Sequence, residues 1–337
     1  MPRNRNIKVE LGSFFQALFG KARSVSFVVA GAFTMARAKL KADAFVELNQ
    51  MIVEYQRAHG DHKTWDGYRL LAADGSTLRI PANQETREHF VSTKNVHGGE
   101  TLIARICQVY DCLNKITVRA DIAPRNSCER DMLVKQLDSL GEVDLLLLDR
   151  EYPGFFVFSV LRERGIDFFV RANEVSFAEV QYMFKSGETD SIVTLRPKSH
   201  KSKKSCRDLG IDMAPITVRL LRYVLPTGSS TVIITSLLDQ ERHSHEFLGG
   251  LYHKRWQVEE DFKTLKARMI LENFSGKSVH SVEQNFHAAI CFKNLVSFLA
   301  RIFHDKTDES LIFLYNINQL EGTQRGDSPW QIVTLNR

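Results

Sequence analysis

The chain has 337 residues, of which 43% are hydrophobic, so it is long enough for one large core and a second, smaller unit. Its 45 Lys and Arg side chains exceed its 40 Asp and Glu by a net charge of only +5, which hints at an acidic partner without establishing one. The five cysteines are an odd number without a CxxC pair, which argues against a disulfide framework or a zinc ribbon. An apolar run near the N terminus is too short to span a membrane, so we expect a globular cytoplasmic protein.

The predicted elements begin with helices and then change to strands. Apolar side chains recur at helical spacing in residues 1–65, which predicts a helical lead-in. From Tyr68 the stretch "YRLLAADGSTLRIP" predicts a strand, a DG turn and a second strand. The stretch "TLIARICQVYDCLNKITVRADI" predicts two more strands joined around Asn114.

Helices and strands alternate in the middle of the chain. "SCERDMLVKQLDSL" predicts a capped helix, "VDLLLLD" an apolar strand, "GFFVFSVLRERG" a helix and "DFFVRA" a strand. This alternation is typical of parallel strands with crossover helices. Residues 174–240 return to strand-like runs, "ITVRLLRYVL" and "STVIITSLL". Two long helices then follow in residues 241–305, the second strongly apolar.

Two carboxylates stand where predicted strands end. Asp74 ends the apolar strand "RLLAAD", and Asp149 ends "VDLLLLD", which is apolar enough to be a buried central strand. In open α/β sheets, ligand sites gather beyond the carboxyl ends of the strands, so the two acids could face one another. Taken alone, each acid is more typical of a turn or a helix cap, and it is the two together that favour a shared site.

A third acid lies in "YHKRWQVEEDFKTLKARM". On a helix that turns about 100° per residue, one arc about 60° wide holds four of its side chains, Tyr252, Arg255, Glu259 and Lys266. Asp261 falls on the opposite side of the helix and is a poor candidate for the same site. A solvated helix remains an alternative, because Glu259 and Lys263 have the spacing of an ordinary i,i+4 ion pair.

These residues resemble those of a known family. The signature YxxRxxxExxxxxxK, from Tyr252 to Lys266, is that of the DDE transposases of bacterial insertion sequences, in the branch called insertion-sequence family four. "AADGSTLRIP" around Asp74 resembles the family's first-Asp motif, and "LLLLDREYPG" resembles its second. In the second motif Glu151 replaces the small residue that the family commonly has. The resemblance covers roughly residues 34–300.

The resemblance implies a ribonuclease H-like fold, which is a mixed α/β sheet with flanking helices. In that fold the first Asp lies on the first strand, the second Asp on the fourth strand and the Glu on a later helix. The family also inserts a β-rich unit between the second Asp and the Glu. The predicted organisation is a helical N-terminal region (1–65), a catalytic domain in two parts (66–173 and 241–305), a β-rich insertion (174–240) and a C-terminal tail (306–337).

The family's catalytic and metal-binding residues correspond to Asp74, Asp149 and Glu259. A phosphodiester is an anion that repels nucleophiles, and two Mg²⁺ ions about 3.5–4 Å apart neutralise it while activating water. Mg²⁺ needs hard oxygen ligands and keeps several waters, so two Asp and one Glu with open positions suit it. We predict two Mg²⁺ ions as the cofactor, with Mn²⁺ as a substitute.

The positive side chains on the same helix face have a separate predicted role. Arg255 as a fork and Lys266 as a point charge could clamp phosphates beside the scissile bond, and Tyr252 could donate to a phosphate or stack. The family assigns this trio to holding the transposon-end strand. Arg150, beside the second Asp, is a further candidate for contact with DNA.

A basic segment, "TLRPKSHKSKKSCR" at residues 194–207, contains no acid. Such a run is usually a disordered, solvated loop, yet within a nuclease insertion it could equally follow a DNA backbone. Its DNA-binding candidates are Lys201, Lys203 and Lys204. A second cluster, "HSHEF" at residues 243–247, suggests a metal site, but no fourth ligand has a convincing spacing and a helix cap is the better interpretation.

The resemblance implies a cut-and-paste transposase that hydrolyses phosphodiesters at transposon ends and then uses the freed 3′-OH to attack target DNA. The implied partners are the terminal inverted repeats and the target DNA, and synapsis of two ends implies a homodimer. A bacterial cytoplasmic location near the nucleoid follows, with no membrane partner. Two alternatives remain open: a ribonuclease H-like nuclease without strand transfer, and an inactive DNA-binding relative.

Overall fold

The computed structural model describes residues 7–19, 29–59, 62–91, 101–225, 227–269 and 271–304. Its α-helices are α1 (Ile7–Phe19), α2 (Ala30–Lys39), α3 (Asp43–His59), α4 (Gln84–Phe90), α5 (Glu129–Gln136), α6 (Phe155–Glu163), α7 (Ala178–Ser186), α8 (His200–Asp208), α9 (His245–Gly249), α10 (Trp256–Lys263) and α11 (Val279–His304). Its strands are β1 (Arg69–Arg79), β2 (Ile103–Asp111), β3 (Ile116–Pro124), β4 (Asp144–Leu148), β5 (Asp167–Arg171), β6 (Asp190–Leu195), β7 (Ile216–Val224) and β8 (Ser230–Thr235). The predicted tail, 306–337, lies outside the described residues.

The described strands form one mixed sheet in the order β3-β2-β1-β4-β5-β8-β7-β6. β4 lies between β1 and β5 and is parallel to both. The remaining pairs with a described register, β2–β3, β5–β8, β7–β8 and β6–β7, are antiparallel. The predicted mixed α/β sheet with flanking helices is therefore confirmed.

The core of the sheet is its parallel centre. All five residues of β4 are buried, as a continuous apolar run predicts for a strand that is covered on both faces. The predicted helix "GFFVFSVLRERG" is α6, and its Phe158 stacks on Phe168 of the predicted strand β5 with ring centroids 4.7 Å apart. These contacts fix the centre of the sheet, from which the candidate acids emerge.

The predicted DG turn is wrong, because β1 continues as one strand from Arg69 to Arg79. A tight hairpin turn needs a positive φ, and Gly75 is not among the glycines that adopt one. β1 lies between β2 and β4 in the sheet, and it stays extended through the Asp74–Gly75 dipeptide. The second predicted turn is confirmed: β2 and β3 form a hairpin around Asn114, where Lys115 has a φ of 55°.

Residues 174–240 extend the same sheet beyond β5. The predicted strands "ITVRLLRYVL" and "STVIITSLL" are confirmed as β7 and β8. Within the basic segment, residues 200–207 belong to the helix α8 instead of the expected loop. From Ser199 to Asp208 it contains no Gly or Pro, and Cys206 is fully buried and anchors one face of the helix.

The long helix expected from His245 onward is also wrong in detail. It is broken into α9, a 3₁₀ segment at Leu251–Arg255, α10 and one turn of π-helix at Thr264–Arg268. The break after α9 falls at the pair Gly249–Gly250, because glycine loses the most backbone entropy in a helix. Tyr252 and Arg255 therefore precede the α-helix that carries Glu259.

The chain divides into two compact units. One comprises Met1–Ile52, Arg79–Ile103 and Lys263–Arg337, and in it Arg37 Nε of α2 donates to Gln284 Oε1 of α11 at 2.9 Å. The other comprises Val53–Leu78 and Ala104–Phe262 and holds nearly all of the sheet. None of the helices in the described ranges combines the length and the apolar character needed to cross a bilayer.

Candidate catalytic centre

Asp74 and Asp149 belong to neighbouring parallel strands. The pairing of β1 with β4 joins Arg69 to Asp144 and Ala72 to Leu147, a constant offset of 75 residues (144 − 69). The same offset separates the two acids (149 − 74 = 75), so the register, continued past the last pair, sets Asp149 beside Asp74. The spacing of the two acids in the sequence thus equals the register offset of the parallel pair.

Glu259 reaches the same unit of the protein from α10, and Arg255 connects it to Asp74. Arg255 Nη1 donates to Asp74 Oδ2 at 3.2 Å, and Arg255 Nη2 donates to Glu259 Oε1. The guanidinium carbon also lies 5.6 Å from the ring centroid of Tyr252, which is within the range of a cation–π contact. Arg255 therefore joins two of the predicted catalytic acids through one side chain.

One carboxylate oxygen of each aspartate accepts a hydrogen bond from the backbone. Asp74 Oδ1 accepts from the backbone N–H of Gly75 at 2.9 Å, and Asp149 Oδ1 accepts from the backbone N–H of Glu151 at 2.8 Å. Both aspartates are partly buried, as is Glu259. Asp261, judged a poor candidate from the helical arc, is buried elsewhere and accepts from Gln108 Nε2 of β2 at 3.1 Å.

Burial and the neighbouring charges raise the pKa of Asp74. Desolvation by burial is the largest effect, and it raises the pKa of Asp74 to about 6 against the opposing charge of Arg255. The charges of Asp149 and Glu259 add to the rise, so both lie within electrostatic range of Asp74. Burial opposes the charge on Arg255, but its acidic partners raise its pKa above the ordinary value. The cluster thus carries more negative charge than its arginine offsets.

The donor set suits a divalent cation. Three carboxylates bring three formal negative charges, Arg255 offsets one, and the excess of two matches a hard divalent ion. As the side chains stand, no three His, Cys, Asp or Glu side chains in the described ranges converge closely enough to hold one ion among them. The guanidinium of Arg255 instead joins Asp74 to Glu259.

Glu129, the first residue of α5, is a neighbour that sequence reasoning missed. A Cβ on Gly75 would come within 2.4 Å of the Glu129 side chain, so the carboxylate of Glu129 lies directly against the backbone next to Asp74. Arg105 of β2 pairs with Glu129. Burial raises the pKa of Glu129, and Asp149 and Glu151 contribute to the rise. The glycine of the "DGS" motif was the one available signal, because it marks a close approach.

The predicted DNA-contact residues near the second Asp and on α8 face solvent. Arg150 is exposed, whereas its neighbour Tyr152 is fully buried in the core. On α8, the side chains of Lys201, Lys203 and Lys204 are exposed. A cavity of about 390 Å³ has Lys201, Glu129 and Glu151 among its lining residues, so α8 lies near the segment that follows Asp149.

Lys266 lies on the π-helical turn that follows α10, and the ideal α-helical arc that grouped it with Glu259 does not extend through this turn. It belongs to the compact unit that begins at Lys263, and its side chain is half-buried. Burial lowers the pKa of Lys266, and Glu272 partly offsets that effect.

The "HSHEF" cluster has structural roles. Ser244 caps α9 by accepting from the backbone N–H of Phe247, and His243 Nε2 lies 2.8 Å from Asp66 Oδ2. His245 Nε2 lies 3.0 Å from the carbonyl oxygen of Arg222. The helix-cap interpretation is therefore correct for this segment, although Ser244 supplies the cap.

Comparison with known proteins agrees with the predicted family. The model of the transposase DDE domain matches residues 65–295, which include all three carboxylates. The chain is 25% identical over 278 residues to the transposase InsG for insertion sequence element IS4 of Escherichia coli (strain K12), covering 81% of this chain and 61% of that relative. It also resembles a piggyBac transposase, solved as a synaptic complex with hairpin DNA, with a TM-score of 0.47 and 9% identity over 75% of this chain and 51% of that one. The chain belongs to the transposase DDE domain family, as its motifs predict.

Proposed function

We propose that the protein is a DNA transposase that hydrolyses phosphodiesters at transposon ends and transfers the resulting 3′-OH into target DNA. The main support is structural. The register of β1 and β4 sets Asp149 beside Asp74, and Arg255 donates to both Asp74 and Glu259. Family membership supports the same reaction. The chain spans 61% of the length of the transposase relative described above.

We propose that the fold is ribonuclease H-like. The first Asp lies on β1, the second directly follows β4 and the Glu lies on a later helix, which is the order expected for that fold. The segment 174–240, with β6, β7 and β8, occupies the place of the expected insertion between the second Asp and the Glu. In this proposal the catalytic domain comprises residues 66–173 and 241–305, the insertion 174–240, the helical N-terminal region 1–65 and the tail 306–337.

The metal ligands in this proposal are Asp74, Asp149 and Glu259, with two Mg²⁺ ions as the cofactor and Mn²⁺ as a substitute. Such a pair of ions would activate the attacking oxygen and hold the leaving oxygen of the phosphodiester. The protein would fix the acids beforehand: Asp74 through the Gly75 N–H, and Asp149 through the Glu151 N–H. Preorganised ligands avoid the cost of ordering them during the reaction.

DNA would be held by the candidate side chains Arg255, Tyr252, Arg150 and Lys266 together with the lysines of α8. Arg255, Tyr252 and Arg150 lie at or next to the three acids in the same unit, and Lys266 follows Glu259 by seven residues in the chain. The exposed lysines of α8, with the cavity beside them, would extend the phosphate-binding surface away from Asp149. Phosphate contacts of this kind position a strand without reading its sequence.

The proposed partners are terminal inverted repeats and target DNA, and the synapsis of two ends implies a homodimer. A cytoplasmic protein that associates with the nucleoid would meet both DNA partners.

The test is an assay with purified protein, Mg²⁺ and two DNA substrates: an intact transposon-end duplex and a pre-cut end with a free 3′-OH. A transposase nicks the first and joins the second to a target plasmid. Cleavage without joining would favour the ribonuclease H-like nuclease. Metal-independent binding with neither reaction would favour the inactive DNA-binding relative.

A further inference from the structure

Arg255 is a buried cation that two carboxylates share. Its side chain is 9% exposed, and its two terminal nitrogens bind Asp74 and Glu259. The third nitrogen, Nε, is buried without a hydrogen-bond partner among the residues that the structure describes. An arginine that served only as a structural ion pair would be expected to have its buried donors satisfied. Arg255 is therefore incompletely satisfied where it lies.

The oxygens that Arg255 binds are the ones that a metal ion needs. Asp74 Oδ1 already accepts from the Gly75 N–H, so Oδ2 is the more available oxygen, and Arg255 occupies it. Arg255 also occupies Oε1 of Glu259. A guanidinium fork and a divalent cation both bind along carboxylate lone pairs, so they compete for these atoms.

Displacement would leave the guanidinium with few acceptors. Its donors would lose both carboxylates, and the described contact that remains is with Tyr252, whose ring centroid lies 5.6 Å from the guanidinium carbon. The ring face attracts the positive charge, and the single hydroxyl of Tyr252 cannot satisfy the whole guanidinium fork. A phosphodiester oxygen, in contrast, accepts from the guanidinium fork and is the substrate group of the proposed reaction.

We propose that Arg255 is an internal counter-ion that divalent metal displaces from Asp74 and Glu259, and that the released guanidinium then binds a DNA phosphate. This inference rests on the proposed function, since it takes the three carboxylates as the metal ligands. It makes metal binding and DNA binding positively coupled through one side chain, and by linkage the coupling is reciprocal.

The first test measures metal binding without DNA. Mn²⁺ is titrated by calorimetry into the wild type, Arg255→Ala and a matched control, Arg164→Ala, whose arginine pairs with Asp138 away from these acids. Removing a competitor should tighten Mn²⁺ binding about 10-fold in Arg255→Ala, and Arg164→Ala should match the wild type. The rise in melting temperature with Mn²⁺ should be larger in Arg255→Ala too.

The second test is a thermodynamic cycle between the metal and Arg255. The affinity for a transposon-end duplex is measured with and without Ca²⁺ at constant ionic strength for the wild type and Arg255→Ala. If Arg255 is released by the metal, its removal should cost about 10-fold more affinity with Ca²⁺ than without it. An equal cost in both conditions would overturn the inference. Arg255→Lys keeps the charge but lacks the fork, and it replaces Arg255→Ala in both tests if the alanine variant does not fold.

The two proposals fail differently. If wild-type protein cleaves end DNA in Mg²⁺ while Arg255→Ala and the wild type bind Mn²⁺ equally, the counter-ion role is wrong and the transposase function stands. If the wild type neither binds Mn²⁺ nor cleaves DNA, the proposed function is wrong and the counter-ion role falls with it.

Discussion

The two ends of the β1–β4 strand pair differ in their balance of charge. At the start of the strands, Arg69 binds both oxygens of Asp144 at 2.6 and 2.8 Å, with 4% and 1% of the two side chains exposed. Five residues further along, roughly 16 Å at the usual rise of a strand, Asp74 lies beside Asp149 and shares Arg255 with Glu259. The first end is neutral and the second keeps an excess of negative charge.

This difference separates a stabilising ion pair from the proposed catalytic site on the same two strands. A buried pair with matched charge and full hydrogen bonding is costly to break, but it has no affinity left for a ligand. A cluster with unmatched charge destabilises the protein until a cation arrives. Substitutions at the start of the strands should therefore change stability, and substitutions at the end should change activity.

The largest expected effect is on activity, from Asp149→Asn. Asparagine keeps an oxygen that can accept from the Glu151 N–H, so folding and DNA binding should remain near wild type. Loss of a metal ligand should lower single-turnover cleavage in Mg²⁺ by about 10³-fold or more, equivalent to about 4 kcal/mol in the barrier. Asp138→Asn, at an exposed acid, is the control. An equal loss of DNA binding would mean that Asp149 is structural.

The next effect is on stability, from Arg69→Met. It leaves Asp144 buried without its cation, which should lower the free energy of unfolding by about 3–5 kcal/mol in urea titrations. Arg164→Met removes a more exposed arginine and should cost at most about 1 kcal/mol. If Arg69→Met proves as mild as its control, the contrast between the two ends is wrong.

A smaller effect should appear in the pH dependence of stability. Burial, with the nearby charges of Asp149 and Glu259, raises the pKa of Asp74 to about 6. The folded protein thus holds this proton more tightly than the unfolded chain, so the stability that Asp74 contributes is complete below about pH 4 and is lost as the pH rises through about 6.

Asp74→Asn should abolish this pH dependence. In EDTA, the stability of the variant relative to the wild type should increase by on the order of 2–3 kcal/mol between pH 4 and pH 7.5. Parallel stability curves for the two proteins would show that Asp74 is not destabilised by its neighbours.

The smallest effect is expected from Gly75→Ala. The new Cβ would displace the flexible end of Glu129 and disturb its pair with Arg105, which should cost about 1 kcal/mol or less of stability. Gly141→Ala is the control, since a Cβ there meets no atom within 4 Å. If Gly75→Ala lowers the cleavage rate and Gly141→Ala does not, Glu129 contributes to the placement of Asp74.

The sequence predicted the parts of the site that local pattern determines. The apolar run before Asp149 predicted a buried strand, which the structure confirms as β4. The charged segment placed Arg255 and Glu259 within reach of each other. Local pattern failed where tertiary pairing prevailed: the Asp74–Gly75 dipeptide favours a turn, but β1 has neighbours on both sides and remains extended.

Contacts between segments that are far apart in the chain could not be predicted from local sequence patterns. The approach of Glu129 to Gly75 depends on how α5 packs against the sheet, and no local pattern encodes that distance. The sharing of Arg255 between Asp74 and Glu259 joins segments 181 residues apart. The basic segment lacked a clear apolar stripe, so the single buried Cys206 that anchors α8 gave too weak a signal for a helix.

The most direct test of the central claim, that Asp74, Asp149 and Glu259 form one metal site, is anomalous diffraction from crystals soaked in Mn²⁺. We expect anomalous peaks bounded by these three carboxylates, with Arg255 withdrawn from Asp74 Oδ2. Peaks confined to other acids, or an Asp149 side chain directed away from Asp74 with Mn²⁺ present, would contradict the account.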